Sequence, residues 1–171
     1  MTLLDLLSDG FFAAIAAIGF GAISDRVSGV FVPVVMGIAL LAAVGHAFRF
    51  ALMQAGLDIA SASLCASVVI GVGSLLLGGR ILCPMTVLFI PALLPMIPGM
   101  YAYKTVFSMI MFMQNIDNPA ASSTYLLEIV RNGFVTCSVI FMLAAGAAAP
   151  IFLFNKRAHS LTRRKEYDSE S

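Results

Sequence analysis

Long apolar runs divided by short polar breaks set the plan of this chain. Five runs reach the roughly 20 residues that a helix needs to cross about 30 Å of hydrocarbon. They are about Leu3 to Ile23, Val30 to Phe50 with the apolar pattern continuing to Gln54, Ile59 to Gly79, Met85 to Met113, and Leu127 to Phe154. The breaks are Ser24-Asp25-Arg26, the stretch Gln54 to Asp58, Gly78-Gly79-Arg80 with Pro84, and a longer polar stretch from Gln114 to Thr124. The expected fold is therefore all-α and membrane-integral, with about five transmembrane helices. The fourth should be broken at Pro91, Pro95 and Pro98-Gly99. The expected organisation is one transmembrane domain over 1–155 and a basic cytoplasmic tail over 156–171.

Composition agrees. Hydrophobic residues make up 60% of the chain, charged residues 11%, and mean hydropathy is +0.98. A soluble domain carries about 25% charged residues, and 171 residues cannot bury this much apolar side chain in a core of their own. The net charge of +1 gives no reason to expect nucleic acid as a partner. Its distribution says more. Five of the ten Lys and Arg fall in the last sixteen residues: Lys156, Arg157, Arg163, Arg164 and Lys165. Positive charge marks the cytoplasmic side. Five crossings then put the N-terminus outside and the C-terminus in the cytoplasm of a cell that bears the protein in its inner (plasma) membrane. Asp5 and Asp9 stand where a cleaved signal would need positive charge, so the first segment is expected to stay in the mature protein.

Small residues at four-residue spacing predict which helix faces meet. They are Ser63, Ser67 and Gly71 in the third segment, Ala13, Ala17 and Gly21 in the first, and Ala144 to Ala149 in the fifth. Helices in lipid associate through close backbone approach. The first two faces are the expected contacts with a second membrane half. Cys65, Cys83 and Cys137 show no metal or disulfide spacing and are read as packing residues. Asp58, Asp117, Glu128 and Arg131 lie near predicted segment ends and are read as interface or capping residues.

Chemistry concentrates at two places. The first is Pro91, Pro95 and Pro98-Gly99. Each proline removes a donor and crowds the carbonyl four residues back. Broken backbone at membrane depth is tolerated where protein or a water-filled cavity receives it, and transporters put such breaks at substrate sites. The amides after Pro98-Gly99 would attract a carboxylate; the plainer reading is a kink in a packing helix. The second is His46-x-x-Arg49, two residues sharing one helix face. Arg49 either binds a carboxylate with two hydrogen bonds or snorkels to the interface. His46 either carries a proton or bonds a backbone carbonyl. HExxH, GxSxG and the phosphate loop GxxxxGK[ST] do not occur, so neither enzyme chemistry nor a nucleotide or other cofactor is expected.

At these residues the chain resembles the threonine/serine exporter family, in particular its small YjjB-like membrane subunit. The motifs are Gly45-His46-Ala47-Phe48-Arg49, Gly56-Leu57-Asp58-Ile59 followed by Ala66-Ser67, and Pro95-Met96-Ile97-Pro98-Gly99 with Ala102-Tyr103. The resemblance implies a half-transporter that exports small amino acids (threonine, serine) or small dicarboxylates. It also implies a larger membrane subunit carrying a second set of about five spans. On it His46, Arg49, Pro98, Gly99 and Tyr103 become candidate substrate-binding residues. Tyr101 and Lys104, within about a turn of the break, join them; related small subunits have a polar uncharged residue in place of Lys104. The expected ligand is a small carboxylate-bearing solute. Other readings are weighed: a homo-oligomer instead of a separate partner, a non-transporting scaffold subunit of another complex, and an intramembrane enzyme, for which nothing in the sequence argues.

Overall fold

The computed structural model describes residues 3–24, 31–81 and 83–153. The loop carrying Asp25 and Arg26, the surroundings of Gly21 and the basic tail over 156–171 lie outside what is described. Among those described, all regular structure is helical. The order is α1 (Leu3–Ser24), α2 (Phe31–Gln54), α3 (Ile59–Ile81), α4 (Met85–Leu93), one 3₁₀ turn (Leu94–Met96), α5 (Gly99–Gln114) and α6 (Pro119–Leu153). The first three apolar runs thus became helices close to their expected bounds, the fourth is divided at the proline break, and the last helix starts earlier, at Pro119.

Length and hydropathy let three described helices cross a membrane unaided: α2 from Val32, α3 and α6. The segments before and after the proline break make a fourth if they count as one span. In α1 the described apolar run is Gly10–Gly19, shorter than a span requires.

The chain divides into two compact units, one formed up to Met96 and again from Met142, the other from Ile97 to Phe141. In the first unit α1 packs along α2, α2 along α3, and α4 against all three. Ile38, Ile70, Leu88 and Met96 are its largest fully buried apolar side chains. The α2–α3 corner is built by local chemistry. Gly56, at φ 98°, ends α2, with the Leu57 amide donating to the Leu52 carbonyl at 3.1 Å and the Gly56 amide to that of Met53 at 3.1 Å. Asp58 then caps α3, one carboxylate oxygen accepting from the Ala60 and Ser61 amides, both at 3.0 Å. The bonds to Ser61, ahead of the one to Ala60, hold the Asp58 carboxyl below the usual carboxylate range.

The small-residue face of α3 is used inside the chain. Ser63, Ser67 and Gly71 are buried. The Ser67 hydroxyl lies 2.8 Å from the Leu64 carbonyl and 3.3 Å from that of Met142 at the start of the last turns of α6. A methyl group on Gly71 would stand 2.8 Å from the Ala147 carbonyl oxygen, and one on Gly146 would meet Ser67 and, at 2.8 Å, the Leu64 carbonyl oxygen. This corrects the expectation that the face is kept for a second half: α6 already occupies it.

The polar stretch from Gln114 to Thr124 is also shorter than the sequence suggests. The connection is Asn115 to Asn118, and α6 starts at Pro119. Asn118 caps it, its side-chain oxygen accepting from the Ala121 amide at 3.3 Å, and proline fits the first helical position. Ser122, Ser123 and Thr124 turn their hydroxyls back onto the Pro119 and Ala120 carbonyls, which lets three polar residues sit inside the helix. At 35 residues α6 is about 52 Å long, well beyond the hydrocarbon thickness of about 30 Å.

Candidate functional site

The proline cluster does break the helix. Pro91 lies inside α4, the chain tightens into the 3₁₀ turn at Leu94–Met96, and α5 restarts at Gly99 behind Pro98, whose φ is −78° and ψ 66°. The Gly99 amide donates to the Ile97 carbonyl at 2.8 Å, and the Tyr101 and Ala102 amides donate to that of Pro98 at 3.1 and 3.2 Å.

In the first unit the break meets Arg49. In an unbroken helix the Met96 carbonyl would accept from the amide four residues on. Instead it accepts from Arg49 Nη1 at 2.7 Å. Arg49 is only 9% exposed, so this is an inward-facing cation on the carbonyl end of a helical segment, where the dipole favours positive charge. Gly45 makes the approach close. A methyl group there would meet Ile70 and stand 3.1 Å from the Met96 methyl. The motif Gly45-His46-x-x-Arg49 therefore reads as close packing followed, one turn on, by a cation for the broken helix. His46 and Arg49, with Phe50 and Met53, line a cavity of about 200 Å³.

The second unit holds a larger and more polar cleft of about 490 Å³ between α5 and α6. From α5 come Tyr101, Tyr103, Lys104, Phe107 and Ser108; from α6 come Glu128, Arg131 and Asn132. Three- and four-residue spacings put Tyr101, Lys104 and Ser108 on one face of α5 and Glu128, Arg131 and Asn132 on one face of α6. Ser108 is fully buried and its hydroxyl donates to Glu128 Oε2 at 2.8 Å. Asn132 is buried too, and its backbone carbonyl accepts from the Thr136 hydroxyl at 2.8 Å.

A match to the threonine/serine exporter family, ThrE, covers residues 9–153. The chain belongs to the threonine/serine exporter family. Family and apolar helices together make it a multi-pass membrane protein. Among its relatives is an uncharacterized protein of Haemophilus influenzae, 31% identical over 157 residues, which are 91% of this chain and 50% of that protein. The chain thus spans about half the length of the curated relative it matches. No solved structure matches it.

Of the exporter-family residues named from the sequence, His46 and Arg49 share the smaller cavity, while Tyr101, Tyr103 and Lys104 line the cleft. Pro98 and Gly99 form the start of α5. Ser108 and Asn132 were not singled out from the sequence, and Glu128 and Arg131 were read as end residues. The signal was present: Asn118-Pro119 is a helix-start signature. It puts Glu128 and Arg131 in the tenth and thirteenth positions of α6 and not at its end.

Proposed function

We propose that this chain is one membrane half of a secondary exporter of small amino acids such as threonine and serine, or of small dicarboxylates. It works with a second membrane half. The observation that carries the reading is Arg49, a buried cation held on the carbonyl end of a helix broken by three prolines, within a family of exporters. Intramembrane cations are costly and mark solute paths, and broken helices supply the polar backbone groups of transporter sites. The half-transporter reading draws support from the Haemophilus influenzae relative, in which the stretch matching this chain is only half of the protein. The other half of such a relative is long enough to contain a second set of spans.

In this reading α1, a 22-residue helix, supplies a fifth crossing, the N-terminus is outside and the C-terminus is cytoplasmic in the inner membrane. The proposed substrate-binding residues are His46, Arg49, Pro98, Gly99, Tyr101, Tyr103 and Lys104. Efflux of threonine and serine from loaded cells, with protein level measured in parallel, tests it. Arg49→Gln should insert normally and lose efflux. Unchanged efflux from well-expressed Arg49→Gln would make Arg49 a structural partner of the Met96 carbonyl and not a substrate ligand; no efflux from the wild type would favour the scaffold reading.

A further inference from the structure

The geometry points to the α5–α6 cleft as a recognition site for the charged head of a zwitterionic α-amino acid, with Glu128 as the group that rejects dicarboxylates. This rests on the exporter reading and decides between its two substrate classes.

The cleft carries both signs of charge, with Lys104 and Arg131 as cations and Glu128 as the anion. An α-amino acid presents an ammonium and a carboxylate on one carbon, so a lining of mixed sign can take both at once. Lys104 and Arg131 meet the carboxylate; Arg131 offers paired donors for its two oxygens. Glu128 accepts from the ammonium. Its position is set by Ser108, a fully buried hydroxyl that donates to Oε2 at 2.8 Å. That bond uses one of the roughly four acceptor positions of a carboxylate and leaves capacity for an ammonium. A dicarboxylate offers only negative groups. Its second carboxylate would lie in the same small cleft as Glu128, and like charges brought together there are a means of exclusion. The buried Asn132 adds a neutral polar group suited to a side-chain hydroxyl. At about 490 Å³ the cleft is in the usual range for small-molecule sites and holds a small amino acid with some water.

The test uses the full chain in nanodiscs and three probes: L-threonine, 3-hydroxybutyrate, which lacks the ammonium, and succinate. Binding is read by calorimetry, and threonine efflux is read from cells. The wild type should bind L-threonine and prefer it over both other probes. Glu128→Gln should weaken L-threonine by about tenfold or more and narrow its advantage over succinate. Glu128→Asp should restore part of the difference. Lys104→Gln and Arg131→Gln should weaken every carboxylate probe alike. Circular dichroism and size-exclusion profiles identify any variant that misfolds; if Glu128→Gln does, Glu128→Asp and the two cation variants carry the test. Equal binding of threonine and succinate by the wild type, or unchanged threonine binding by folded Glu128→Gln, overturns the cleft assignment. The exporter reading stands or falls separately: threonine efflux undiminished in Glu128→Gln cells overturns the cleft alone, and absence of efflux in the wild type overturns the exporter.

Discussion

Arg49 shows how one side chain answers local backbone chemistry with a buried cation in the first unit. Three prolines leave the carbonyl end of the α4 segment without its helical continuation, and the guanidinium takes the Met96 carbonyl at 2.7 Å. Arg49→Gln keeps a donor but loses the charge. A hydrogen bond from a charged group is worth about 1.5–3 kcal/mol, so efflux should fall by about 10- to 100-fold while insertion continues. Arg49→Lys should recover part of it, since lysine keeps the charge but not the planar fork. Asp58 gives a pH-dependent case at the same scale. Its folded carboxyl is held below the ordinary value of 3.8, so the cap stabilises α3 above that pH and its contribution is lost as pH falls through the lowered value. Thermal melts of wild type and Asp58→Ala should differ at pH 7, and the difference should begin to shrink only below about pH 4, as pH falls toward the lowered value. A difference that stays constant across that window would assign the effect to something other than the charged cap.

At the scale of elements, what was legible in the sequence is what rests on neighbours along the chain. The break at Pro98-Gly99, the end of α2 at Gly56 and the cap at Asp58 all follow from residues within a few positions. What rests on distant partners was not legible. The spacing of Ser63, Ser67 and Gly71 announces a packing face but cannot say whether the helix that fills it belongs to the same chain. The structure answers with α6, through Ser67, Gly71 and Gly146. Gly71→Leu should therefore destabilise this chain itself, by about 1–3 kcal/mol or more, since its neighbour there is backbone that cannot rotate away. Unfolding in graded denaturing detergent measures it. A variant that unfolds like the wild type but fails to hold a partner would return the face to the partner. The partner of Arg49 was hidden for the same reason, being 47 positions away in sequence. The Glu128, Arg131 and Asn132 face was hidden by a misplaced start for α6. Hydrophobicity alone begins that helix at Leu127, whereas Asn118-Pro119 begins it at Pro119.

At the scale of the molecule, the chain belongs to the exporter family and spans about half the length of its Haemophilus influenzae relative. In the proposed half-transporter, five crossings would require the two halves, joined end to end, to have opposite orientations. That gives the inverted repeat that many secondary transporters use for alternating access. Reporter fusions should place the N-terminus outside and the C-terminus in the cytoplasm; both ends on one side would contradict five crossings. The central claim, that this chain is half of an exporter, is tested most directly in proteoliposomes loaded with labelled L-threonine. Vesicles holding this chain together with a second membrane half should release it, and vesicles holding this chain alone should not. Release by the chain alone at the rate of the pair would contradict the account and put a homo-oligomer in its place.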